Sequence, residues 1–248
     1  MYRCLDPDKT VRTIDILHRR IEERFPMSSL SMVCGELHLI ANESKARSEW
    51  VSRPNYILRA SVAVIILLSI IVLLYSISMM DISLKTIDAG ELVQVMDAGL
   101  NDLVLIGAAI FFLITMETRI KRTRAISALH ELRAVAHVID MHQLTKDPSQ
   151  WLNQMVLTPS SPRREMSAYE LTRYLDYCSE MLSLAGKVAA LYAQNFPDAV
   201  VLAAVNEVET LTTGLSRKIW QKIMILNKLD ADTPHSTNKP DAPVISPG

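Results

Sequence analysis

Glycine and aromatic residues are scarce in this chain, with 7 glycines among 248 residues and Phe, Trp and Tyr together at 6%. A barrel or sandwich is built on turns and β-formers, so a helical fold is expected instead. There is no basic surplus either: 26 Lys and Arg stand against 27 Asp and Glu, for a formal charge of −1. Generic nucleic-acid binding needs such a surplus to displace counterions from phosphates, and no nucleic-acid partner is expected. Cys4, Cys34 and Cys178 are odd in number, far apart and form no C-x-x-C pair. That pattern argues against a disulfide framework or a zinc knuckle and favours a reducing compartment. Also missing are a P-loop, a G-x-G-x-x-G fingerprint, a G-x-S-x-G elbow and a kinase signature, and no local context makes any serine a nucleophile. An enzyme is therefore not expected, nor a cofactor. The basic N-terminus has no apolar h-region, and its acids disfavour a transit peptide, so the first membrane span would also have to act as targeting signal.

What is present is organised around Ala60–Met80, 21 residues without one charged side chain. At 1.5 Å per residue this run is about 31 Å long, which matches a hydrocarbon core of about 30 Å. Lys45, Arg47, Arg53 and Arg59 precede or open it, with Trp50 and Tyr56 suited to a headgroup interface. From Asp81 to Asp102 the balance reverses to five acids against Lys85, a net charge of −4. A second apolar run, Leu103–Met116, has 14 charge-free residues, and the basic series Arg119, Lys121, Arg122 and Arg124 follows it as a positive-inside stop. The expectation is an all-α membrane protein with a two-span transmembrane hairpin, residues 57–80 and 99–119. Residues 81–98 would lie on the translocated side, and both termini would lie in the cytoplasm of a bacterial inner membrane. One span plus a partly inserted helix is the alternative.

The rest of the chain reads as a cytosolic helical bundle. In residues 1–55, Asp6-Pro7 opens an amphipathic helix with the stripe Val11, Ile14, Leu17, Ile21 and Phe25. Ser28 and Ser29 cap a second helix, with Leu30, Cys34, Leu37 and Ala41 in its stripe. No Pro or Gly interrupts Ala108 to Asp147, so the second span should continue as one helix through 120–147 until Pro148. A linker at 148–166 leads to a C-terminal antiparallel helical hairpin at 167–229. Its first helix opens on the capping box Ser167/Glu170 and is separated from the second by Asn195-Phe-Pro-Asp. Heptad-like seams on the two helices, including Leu175, Leu182, Val208, Leu215 and Ile219, fit packing within the chain or with a partner chain. The proline-rich end, 230–248, has no stripe and reads as a disordered tail.

Three constellations are candidates for chemistry. His130, His137 and Asp140 share a helix face and suit a metal shared between subunits, yet the two imidazoles lie about 10 Å apart along the axis, too far for one ion. No metal is therefore expected, and polar helix contacts are the plainer role. Asp97, Asn101 and Asp102 sit where the second span begins and suit the outer mouth of a cation path or, more simply, a wet interface. Arg119, Lys121, Arg122 and Arg124 form a lipid-facing basic flank and a topology determinant. In layout the chain is similar to two-span effector proteins of bacterial conflict systems, a likeness that carries over no site residue. The expected function is that of a membrane-anchored scaffold or interaction protein that assembles through its cytosolic helices, with lipid and either further copies or another membrane-associated protein as partners. The rival is an oligomeric ion channel or pore-forming effector.

Overall fold

The computed structural model describes residues 4–53, 56–79, 89–148, 159 and 166–232, and among these it has six helices and no strand. The first, α1, runs over Pro7–Arg24. Asp6 caps it by accepting from the backbone N–H of Asp8 at 3.0 Å and Lys9 at 3.3 Å, and Pro7 at the first position has no N–H left to satisfy. After a turn at Phe25–Met27, Ser28 accepts from Ser31 N–H and opens α2, Ser29–Ser52. Glu22 braces that turn by accepting from the Ser31 hydroxyl and the Met27 N–H. Next come α3, Tyr56–Met79, and α4, Ala89–Leu144, a single helix of 56 residues. At 1.5 Å per residue α4 is about 84 Å long. It begins ten residues before the expected second span and carries straight through the basic series. The capping box at Ser167 and Glu170 is formed and opens α5, Ala168–Asn195. Asp198 then accepts from the N–H groups of Val200 and Val201 at the start of α6, Ala199–Asp232. Residues 80–88, most of 148–166 and 233–248, where the sequence predicts a translocated loop, a linker and a tail, lie outside the described residues.

The helices divide into two parts. α3 packs against α4, and both are long and apolar enough to cross a membrane, with no part of either apolar window buried inside the fold. The second half of α4 joins α1, α2, α5 and α6 in a five-helix bundle around one core. Cross-contacts fix the directions. Arg122 meets Asp198 and Lys222 meets Gln143, so α6 runs parallel to α4. Arg47 meets Glu131 and Ser29 meets His142, so α2 runs antiparallel to α4. Leu5 meets Gln194 and Arg24 meets Tyr169, so α1 and α5 are antiparallel. The bundle thus has a near end, beside the apolar helices, and a far end where α4 stops.

α5 is the central element, in contact with α1, α2, α4 and α6. The stripe its sequence predicts, Leu171, Leu175, Cys178, Leu182, Ala185, Ala189 and Tyr192, is buried, and so are Tyr174, Tyr177, Met181, Leu184, Val188 and Leu191 outside it. A helix walled in on four sides must be apolar around most of its circumference. Leu175, Leu182, Val208, Leu215 and Ile219 all lie in this core, none more than 5% exposed. The α5 and α6 seams therefore meet within one chain.

Candidate functional site

The four basic residues after the apolar part of α4 have different surroundings. Lys121 is buried, donates to the Arg53 carbonyl at 2.8 Å and pairs with Glu117 at 2.9 Å. Arg122 makes a fork with Asp198, with Nε and Nη2 at 3.0 and 2.7 Å from its two carboxylate oxygens. That contact holds Asp198 well below the usual carboxylate range, with the N–H groups of Val200 and Val201 adding to the effect. Arg124 lies over the Trp50 ring at 4.1 Å, while Arg119 is exposed. Three of the four therefore fasten α2 and the α5–α6 turn to α4 at the near end.

Asp97, Asn101 and Asp102 are all exposed. Asp102 lines a cavity of about 520 Å³ between α3 and α4, with Leu68, Val72, Leu103 and Ile106 among its walls. His130 and His137 are exposed on α4, and the half-buried Asp140 accepts from Gln143 Nε2 at 2.5 Å. Among the described residues no group of three or more His, Cys, Asp and Glu side chains is placed to hold a metal ion.

The far end holds chemistry that the sequence did not single out. Lys222 reaches from α6 to the last turn of α4, where Nζ donates to the carbonyls of Gln143 at 2.6 Å and Lys146 at 3.1 Å. Helix C-termini leave such carbonyls without intrahelical partners, and a cation is favoured there. Burial lowers the Lys222 pKa, while Asp147 and Asp140 act in the opposite sense. Cys178 is enclosed nearby, and burial pushes its thiol up to about 12, which leaves it protonated and inert at neutral pH. Burial, assisted by the charge of Lys146, lowers the pKa of His142.

Beside this junction, α1 and α5 form an open recess of about 460 Å³ lined by Arg20, Glu23, Arg24, Arg173 and Tyr177. The guanidinium groups of Arg20 and Arg173 lie 5.4 and 5.1 Å from the centre of the Tyr177 ring. Arg24 lies 5.6 Å from that of Tyr169 and donates to its hydroxyl at 3.3 Å. Phe25 meets Tyr174 and Tyr177 edge to face and ties the recess to the core. Two helical pairs build the site, Arg20/Arg24 and Arg173/Tyr177, each one turn apart on its own helix. That spacing is visible in the sequence, but the antiparallel docking of α1 on α5 that makes the pairs face each other is not. Comparison with protein-family models, curated proteins and solved structures gives no match.

Proposed function

We propose that this chain is a membrane-anchored helical scaffold, with no catalytic step, in which α3 and α4 cross a bacterial inner membrane as a hairpin and both termini lie in the cytosol. The observation that carries the reading is the bareness of the apolar helices. Ile57, Leu67, Leu74, Leu105, Phe111 and Phe112 are each more than half exposed, although the bundle beside them has a closed core. Apolar surface left in water costs about 25 cal/mol per Å², so a continuous belt of it calls for lipid or protein cover. The basic residues flanking the pair and the net charge of −4 over Asp81–Asp102 support cytosolic termini.

With the α5 and α6 seams used inside the chain, assembly falls to the outward face of α4. Ser127, His130, Ala134, His137, Met141 and Leu144 are all exposed on it. They alternate three and four residues apart and include no Asp, Glu, Lys or Arg, the spacing of a coiled-coil seam. Two copies anchored in one membrane stand parallel, the orientation such a seam joins. Ala134→Cys in a Cys4→Ser background, oxidised in native membranes, should give disulfide-linked dimers far more readily than Thr213→Cys on α6. Equal linkage at both positions rules out the seam, and release of the chain from membranes by alkaline carbonate rules out the anchor.

The cavity beside Asp102 favours one other reading, an oligomeric cation channel with Asp97, Asn101 and Asp102 at its outer mouth. It requires cation current in planar bilayers that falls when Asp97 and Asp102 are both replaced by Asn.

A further inference from the structure

In the far-end recess three guanidinium groups, those of Arg20, Arg24 and Arg173, line a common space. Their positions are held in advance. The Arg20–Glu180 pair at 3.1 Å and the Arg173–Asp176 pair at 3.0 Å hold two of them, and the Tyr177 ring lies beneath both. Arg24 differs, since its side-chain acceptors are the Tyr169 and Tyr177 phenols and among the described residues no carboxylate pairs with it. Among the described residues the only acid lining the recess is Glu23. We propose that this recess binds a soluble ligand through an oligophosphate group of the kind carried by nucleoside diphosphates and triphosphates.

Guanidinium forks match phosphate oxygens two at a time, and three forks around one space suit an anion with several oxygens better than a single carboxylate. The exposed Arg20–Glu180 pair is individually weak and the Arg173–Asp176 pair is still partly open to solvent, so a multiply charged anion can share or displace their carboxylates. The volume, about 460 Å³, exceeds what one phosphate fills and leaves room for the group that carries it. Lipid headgroups of the anchoring membrane do not reach the recess on the reading above. The recess lies at the end of the bundle where α4 stops, and the 22 residue steps from Lys121 to Gln143 span about 33 Å.

The test is isothermal titration of the detergent-solubilised full chain with pyrophosphate, at fixed ionic strength. Saturable binding at one site per chain is expected, weakened about tenfold or more by Arg24→Ala and by Arg173→Ala, since each charge-assisted hydrogen bond lost is worth a factor of that order. Arg173→Lys keeps the charge without the fork and should recover only part of the loss. Arg24 is exposed and Arg173 half-buried, and unchanged circular dichroism would confirm that the variants fold. No saturable binding up to about 10 mM, or equal binding by wild type, Arg24→Ala and Arg173→Ala, overturns the proposal. Neither result depends on whether α3 and α4 lie in a membrane.

Discussion

Replacing glycine with alanine at two sites in the bundle should have opposite effects, because the helices around them approach differently. Gly186 lies on α5 where it faces α6, and a Cβ placed on it would stand 3.2 Å from Thr212 Oγ1. Gly214 lies on α6, and a Cβ there would meet nothing within 4 Å. Alanine gains about 1 kcal/mol of helix propensity over glycine at either position. At Gly214 nothing opposes that gain, so Gly214→Ala should raise Tm by about 2–4 °C for a chain of this size. At Gly186 the side chain of Thr212 must give way. Thr212 is only 4% exposed, and its hydroxyl donates to the Glu209 carbonyl at 3.1 Å, so moving it strains a closed core. Overpacking costs about 1–3 kcal/mol, which cancels or outweighs the propensity gain, and Gly186→Ala should be neutral to destabilising by about 2 kcal/mol. Thr212→Ala removes the obstructing oxygen, so Gly186→Ala should cost less in that background than in the wild type, a direct coupling between α5 and α6. Thermal unfolding of the four variants and the wild type in one detergent, followed by far-UV circular dichroism, measures all of this. A Tm gain at Gly186 equal to that at Gly214 would refute the close approach of the two helices.

Three further outcomes are expected. Asp198 has a folded-state pKa depressed mainly by Arg122, so its contribution is present above the ordinary carboxylate pKa and is lost as pH falls through the depressed value. Asp198→Asn preserves the helix cap but removes the charge, so its Tm should lie below wild type near neutral pH and converge with it as pH falls through the depressed value; a pH-independent gap would contradict this. Maleimide at neutral pH should label the native chain at the exposed Cys4 and leave the buried Cys34 and Cys178 unlabelled until denaturation, since burial pushes both buried thiols up to about 12; mass spectrometry showing early label on Cys178 would contradict its enclosure. Lys222→Met should speed amide exchange in the last turn of α4 more than at its middle, because Gln143 and Lys146 lose a donor to their carbonyls; uniform exchange along α4 would count against that cap.

Local signals in the sequence carried the helices, and pairings across helices carried what the sequence missed. Asp6-Pro7, Ser28 and the Ser167/Glu170 box mark three helix starts because a cap is a contact between residues two or three apart. The uninterrupted stretch after Ala108 likewise implies that α4 has no internal break. Arg122 is different. Next to an apolar run it reads as a headgroup contact, whereas its carboxylate partner, Asp198, lies 76 residues further on. Lys121 fails in the same way, since a backbone carbonyl as distant acceptor leaves no trace in charge patterning. The central position of α5 was half visible: Met181, Leu184, Val188 and Leu191 widen its apolar face beyond one stripe, a sign of burial on several sides. The far-end recess was invisible because its two halves are about 150 residues apart, and periodicity says nothing about which helices become neighbours.

The continuity of α4 has a mechanical consequence. Three contacts fix the bundle to the same helix that packs against α3: Arg122 with Asp198, Lys121 with the Arg53 carbonyl, and Lys222 with the last turn. No joint separates the two halves, so any tilt or turn imposed on the apolar half is handed undiminished to the far end. A tilt of about 10° swings a point about 33 Å away through about 6 Å, more than the rise of one helical turn. A chain built this way turns the attitude of its apolar half into displacement at its tip.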